Sequence, residues 1–196
     1  MRVLLLFVVI FLFVGAATVP DRSKWVIDAT SQLIIHGNTN VNRFTCALTC
    51  YNGYDTLEFV LRDESCELIF SHHAMIIPVN DFECGSKQIT SDFLETMKAT
   101  KHPYIHVRFL SLAAEESTLH KGGTVNGKVA ITIAGITKKY ELAYAIPQAS
   151  SQQIRLKGIQ EVCFSDFNLS PPEKLFGLIQ VQQDLKVEFI LHLRPV

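Results

Sequence analysis

Seven histidines and five cysteines are the residues of this 196-residue chain best suited to hold a metal or act as nucleophiles. Their spacing argues against both roles. His72 and His73 are adjacent, so on a strand they point to opposite faces and cannot share one metal ion. His102 and His106 would share a face only on a helix running through Pro103, which a proline interrupts. There is no CxxC pair and no HExxH, the spacings that commonly place metal ligands together. A GxSxG elbow, a phosphate-cradling glycine loop and a dinucleotide fingerprint are also missing. Asp and Glu residues fall on what read as solvent faces, and no spacing marks an acid–base pair. The chain reads as a non-enzyme without a metal or cofactor.

The cysteines are better suited to disulfides. Their odd number leaves at least one without an intramolecular partner. Cys50 and Cys66 flank Asn52-Gly53, a strong turn signal. If their strands pair antiparallel, the two could lie opposite one another. Cys46 and Cys50 should not bond to each other. Four residues of extended strand span about 13 Å, and a bridge tolerates a Cα separation of at most about 7 Å.

An oxidising compartment fits the N-terminus. Met1-Arg2 is a short positive start, Val3 to Val14 is unbroken apolar sequence, and Gly15-Ala16-Ala17 supplies small residues for a cleavage site. This is the layout of a secretory signal peptide over residues 1–17. The apolar run is too short for a membrane span, which needs about 20 residues. The remainder, residues 18–196, is expected to be one periplasmic or secreted domain without an integral span. Formal net charge is −1 and mean hydropathy +0.21, with no long basic run, so a nucleic-acid partner is not indicated. Either a monomer or a homodimer is compatible with the sequence.

The elements of that domain are mostly strands. In GKVAITIAGITKKYELAY, Val129, Ile131 and Ile133 alternate with polar or small residues. After a turn placed at Gly135-Ile136-Thr137-Lys138, Tyr140, Leu142 and Tyr144 share a face. This is a hairpin pattern. Asp184 opens the cleanest alternation, Leu185, Val187, Phe189, Leu191 and Leu193 against Lys186, Glu188, Ile190, His192 and Arg194. Trp25 to Gly37 reads as two short strand pieces bent at Asp28, Thr30 and Ser31. Phe44, Cys46, Leu48 and Cys50 share one face of the next strand. LEFVLRDES could be strand or loop. Cys66 to Val79 reads as one strand with Leu68, Phe70 and Ala74 on one face, and YIHVRFLSL as another with Ile105, Val107 and Phe109 together. Ile154 to Phe167 is a long run in which Gly158 suggests a bulge or sharp bend. Only residues of about 90–100 have helical spacing, with Phe93, Leu94 and Met97 as its apolar side and Thr90 or Ser91 as cap. About eight strands and one helix make an all-β domain, either a sandwich or a closed up-and-down barrel.

Four segments in order resemble the YceI-like family of exported proteins: WVIDATSQLIIHGNTNVNRF, SDFLETMKATKHPYIHVRF, GKVAITIAGITKKYEL and FSDFNLSPPEKLFGLIQVQQDLKVEFILHL. They reach from Trp25 to Leu193. Many relatives carry a histidine where this chain has Thr30-Ser31, and the cysteines and the T-N-V-N and P-P segments resemble a cysteine-bearing branch. The resemblance implies a lipocalin-like, eight-stranded antiparallel up-and-down barrel with one short helix, and a long apolar tunnel holding a polyisoprenoid chain. It also suggests a Cys46–Cys84 pair, which would leave Cys163 as the odd thiol.

An eight-stranded barrel can be just filled by side chains or can hold one small ligand. The residues expected to face inward are Phe44, Leu48, Phe70, Ile105, Val107, Phe109, Val129, Ile131, Ile133, Leu185, Val187 and Phe189, none of them charged. Such a lining suits an isoprenoid or fatty chain, each buried methylene contributing about 0.8 kcal/mol. Periodicity alone favours a filled core acting through its outer surface. The resemblance favours a hollow one that carries or sequesters an apolar lipid.

Overall fold

The computed structural model describes residues 22–48, 51, 55–62, 66–71, 74–113, 121–147 and 153–196. The expected signal segment, Cys50, Asn52-Gly53 and the His72-His73 pair lie outside the described residues. In chain order the elements are β1 Arg22–Ile27, β2 Gln32–Asn38, β3 Arg43–Leu48, β4 Thr56–Arg62, β5 Glu67–Phe70 and β6 Ala74–Pro78. The helix α1 Lys87–Thr96 follows, then β7 Tyr104–Ala113, β8 Gly123–Ile133, β9 Ile136–Ile146 and β10 Ile154–Cys163. A short hairpin of β11 Glu173–Lys174 and β12 Ile179–Gln180 precedes the last strand, β13 Asp184–Pro195.

Eight strands form a closed antiparallel ring in the order β1, β4, β5, β7, β8, β9, β10, β13, with β13 returning to β1. The fold is the expected all-β barrel. Closure depends on a bend. β2 pairs with the first half of β13, from Lys186↔His36 to Ile190↔Gln32, and β1 pairs with its end, from Ile27↔Leu193 to Trp25↔Pro195. β1 and β2 are therefore one strand bent along a single edge of β13. The bend is where the turn-forming residues place it. The Asp28 carboxylate accepts hydrogen bonds from the Thr30 amide (2.9 Å) and hydroxyl (2.8 Å), and the buried Ser31 hydroxyl accepts from His192 N (3.0 Å). β3 pairs with β2 and branches off the ring.

Several expectations need correction. The hairpin of β8 and β9 turns at Ala134-Gly135, with φ of 49° and 81°, and not over Gly135 to Lys138. Both central residues adopt positive φ, as the twist of a two-residue hairpin requires. Residues 66–79 are not one strand. β5 and β6 each lie on β7, and the alternation changes parity between them, so Met75 and Ile77 are buried instead of Ala74. Gly158 makes no bulge. β10 pairs with β13 without interruption from Ile154↔Leu193 to Cys163↔Asp184, and the Phe189 ring fills the space a Cβ would need. The register shift lies instead in β7, between Phe109 and Ser111. The strand-like run from Ile154 ends at Cys163, and Phe164–Phe167 forms a 3-10 turn. The helix is capped by Ser86, whose hydroxyl accepts from Ile89 N (3.2 Å), and not by Thr90 or Ser91. The Thr90 hydroxyl instead donates to Ser86 O and accepts from Cys84 N, both at 3.0 Å.

The interior is packed at one side and open at the other. Trp25, Phe59 and Phe70, from β1, β4 and β5, stack with Phe109, with ring centroids 4.4 Å (Trp25–Phe59), 5.7 Å (Phe59–Phe70) and 5.9 Å (Phe70–Phe109) apart. Large rings packed this closely leave little free space on that side. Across the other side lies α1.

Candidate functional site: the barrel lumen

A cavity of about 120 Å³ lies inside the ring. Its walls come from β2, β6, β7, β8, β9, β10 and β13 and from Phe164 of the 3-10 turn, and Phe93 of α1 and Met97 at the helix C-cap face it. Among the described residues β1, β4 and β5 contribute nothing to it, and Phe109 of β7 is the member of the aromatic stack that lines it. Nine of the residues expected to face inward line it: Ile105, Val107, Phe109, Val129, Ile131, Ile133, Leu185, Val187 and Phe189.

Three expected lumen residues sit elsewhere. Phe70 belongs to the aromatic stack. Leu48, though 2 % exposed, lies on the branch strand β3. There Ala47 exchanges backbone hydrogen bonds with Glu83 (2.8 and 3.1 Å) and Cys46 is joined to Cys84 by a disulfide. The inner face of β3 therefore meets the segment leading into α1 and not the cavity. Phe44 folds its ring over Gly37 on β2 and lines a surface groove beside His36, Lys186 and Glu188. Alternation gives the face of a strand but not whether a sheet branches, which is why β3 misleads.

The lining also holds residues that sequence reasoning did not assign to it. Leu33, Ile35, Leu142 and Leu191 continue alternations already visible in β2, β9 and β13. Met75 was hidden by the change of parity after Phe70. Tyr144, Gln160, Val162 and Phe164 also line the cavity, and the surface they turn to it is apolar. Among the described residues no charged side chain reaches the cavity wall.

Tyr144 is 2 % exposed, and its ring packs edge-on to Phe189 with centroids 5.3 Å apart. Burial alone holds its phenol well above the ordinary tyrosine range, so it stays protonated. The nearby Tyr140 differs. Its hydroxyl donates to Asp166 (3.0 Å), and burial followed by that carboxylate pushes its pKa up. The Gln160 amide nitrogen donates to the Glu161 carbonyl at 2.6 Å.

Outside the lumen the reactive residues are dispersed. Among the described residues no three His, Cys, Asp or Glu side chains gather as a metal site. The expected Cys50–Cys66 bridge is not formed, since Cys66 is free and exposed. Cys66 sits in the left-handed conformation just ahead of β5, and β5 pairs with β4 and β7, never with β3, the strand that precedes Cys50. The Cys163 thiol is also free and donates to Asp184 Oδ1 at 2.8 Å. No helix among the described residues is long and apolar enough to cross a membrane.

No protein-family model and no curated protein matches the sequence. Solved structures do. BcnA of Burkholderia cenocepacia superposes with a TM-score of 0.61 at 17% identity, covering 85% of this chain and 98% of its own. A polyisoprenoid binding domain from Saccharophagus degradans gives 0.60 at 14% identity, covering 87% and 97%. A mutant of the Campylobacter jejuni YceI protein gives 0.53 at 14% identity, covering 73% and 81%. The closed ring, the bent β1–β2 edge and the crossing helix thus give this chain the fold of the YceI-like proteins.

Proposed function

We propose that the protein is an exported, YceI-like binding protein that holds an apolar lipid-like molecule in its lumen, without catalysing a reaction on it. The observation that carries this reading is the cavity wall, whose described residues turn an apolar surface inward and include no charged side chain. The Saccharophagus degradans domain is described as polyisoprenoid binding, and a polyisoprenoid is the elongated apolar class that such a wall accommodates. A volume near 120 Å³ is close to that of an engineered apolar cavity (~150 Å³) that takes up benzene. The resting cavity therefore holds only part of a long chain. The rest is admitted when α1 moves and withdraws Phe93 and Met97. The helix is tied at its start by the Cys46–Cys84 bridge and on its flank by Lys174 to Asp92 at 2.7 Å.

Export belongs to the same reading. Its support is the positive start, apolar run and small residues of 1–17. Intact mass of protein from the cell envelope should lack the first 15 to 20 residues, about the usual signal length. Full-length chain in the cytoplasm would contradict it.

A second reading has one observation in its favour. Leu175, Phe176 and Leu178, at the tip between β11 and β12, are 63%, 109% and 72% exposed, as a surface interaction module would require. An organic extract of protein purified from its native host, analysed by mass spectrometry, separates the two. A co-purifying long-chain lipid supports the carrier. A lipid-free protein that takes up no offered lipid favours the module.

A further inference from the structure

We propose that the hairpin tip between β11 and β12 is a membrane-docking element that inserts Leu175, Phe176 and Leu178 into a lipid bilayer surface. The proposal goes beyond the carrier reading, because it stands on the outside of the barrel and not on the lumen.

Leu175, Phe176 and Leu178 turn their side chains to solvent, Phe176 entirely so, and Val41 is exposed in the neighbouring turn. The backbone makes this arrangement costly. Leu175 and Phe176 hold φ of 51° and 57°, ahead of Gly177 at 84°. Glycine and asparagine occupy that left-handed region at least cost, and large apolar side chains rarely do. The tip is nevertheless firmly held. Asn40, beside Val41, donates from Nδ2 to Leu178 O at 2.9 Å. Its amide donates to Gln180 O and its Oδ1 accepts from Gln180 N, both at 3.1 Å. Gln182 N donates to Asn38 O at 2.8 Å. This clamp keeps apolar side chains pointed away from the core, and a lipid surface supplies the contact they lack in water.

Charge and shape favour a bilayer over a protein partner. The groove beside the clamp carries His36, Arg43 and Lys186 against Glu188, and Glu188 is already paired with Lys157 at 2.9 Å. These cations suit lipid phosphates. Glu173, the acid of the hairpin, stands at its base opposite Gln180, away from the tip. Four protruding side chains fall short of the roughly 800 Å² per partner that a stable protein interface takes. The hairpin is also tied to α1 by Lys174 to Asp92 at 2.7 Å, and the next helix residue, Phe93, lines the cavity. Docking at the tip therefore brings the helix-covered side of the lumen to the lipid surface.

The test is co-sedimentation of the purified protein with vesicles of phosphatidylcholine, alone or with phosphatidylglycerol added. Wild type is compared with Phe176→Asn, Phe176→Trp and Arg43→Gln, and native mass spectrometry of each sample reads the lipid load of the lumen. Wild type should bind both vesicles, the anionic ones more tightly. Phe176→Asn should bind roughly tenfold or more weakly, the effect of withholding one large apolar side chain. It should melt at or above the wild-type temperature, because asparagine tolerates the left-handed backbone. Phe176→Trp should keep its binding. Arg43→Gln should lose roughly fivefold, on anionic vesicles only. Equal vesicle binding by wild type and Phe176→Asn would overturn the role of the tip. Wild type that binds neither vesicle would overturn docking, and a lipid load on that same protein would leave the carrier reading intact. Self-association that is lost in Phe176→Asn, without vesicle binding, would overturn it in favour of a second copy of the chain. Tip-dependent vesicle binding by a protein with an empty lumen would support docking and count against the carrier reading.

Discussion

The ring of Phe189 on β13 occupies the space that a side chain at Gly158 on β10 would need, and the two residues pair directly across the sheet. This contact replaces the bulge that a mid-strand glycine suggests, and it positions Phe189 against Tyr144. Gly158→Ala should therefore force the ring into the lumen. The expected loss is about 1–3 kcal/mol, the usual range for overpacking, measured by chemical denaturation. Unchanged stability would mean that the ring has freedom its packing does not suggest.

The disulfide has a different effect. Cys46–Cys84 closes a loop with a sequence separation of 38 and ties the lead-in of α1 to β3. Replacing both cysteines with serine should lower stability by roughly 3–4 kcal/mol, from the loop-closure relation. Release of α1 should also speed the exchange of a lumen ligand. A double variant with wild-type unfolding midpoint and exchange rate would show that the bridge restrains neither.

Much of this was legible in the residues, and the exceptions have physical causes. The alternations of β8 and β13 give the inward positions Val129, Ile131, Ile133, Leu185, Val187 and Phe189 because those strands are long and one-sided. Phe44 and Leu48 alternate as regularly, but β3 branches from the ring, and branching is a tertiary fact that a period of two does not encode. Met75 falls outside the expected alternation because the chain changes parity between β5 and β6. The turn at Ala134 was displaced because a non-glycine residue holds φ of 49° there. The spacing of Phe93 and Met97 predicts the apolar side of a helix, while their place over the cavity depends on where α1 docks. Tyr144 lines the cavity on the face it shares with Leu142, as the alternation of β9 predicts.

The free thiols should differ in reactivity. The hydrogen bond from Cys163 to Asp184 comes first among the causes that push its pKa up to about 11, from an ordinary value of 9.0. A raised thiol pKa keeps the unreactive protonated form to higher pH, so at pH 8 Cys163 should alkylate about a hundredfold more slowly than a thiol titrating at the ordinary value. Asp184→Asn should recover most of that rate. Peptide mass mapping after timed iodoacetamide treatment reads both. Cys163 labelling at the same rate in wild type and Asp184→Asn would remove Asp184 as the cause.

The central claim, an apolar ligand inside the barrel, is tested most directly by native mass spectrometry of the Ile131→Trp variant beside wild type, both isolated from the native host. Ile131 faces the cavity, while its neighbour Thr132 meets Thr137 through a 2.8 Å hydrogen bond between their hydroxyls on the opposite face of β8. A tryptophan at 131 should fill the lumen at a packing cost of about 1–3 kcal/mol, while Thr132→Ser should leave it unaltered. Circular dichroism and a cooperative melt establish that each variant is folded. The account predicts a bound lipid mass on wild type and Thr132→Ser, and its loss from folded Ile131→Trp. A full lipid load on Ile131→Trp, or none on wild type with no uptake of added lipid, would contradict it.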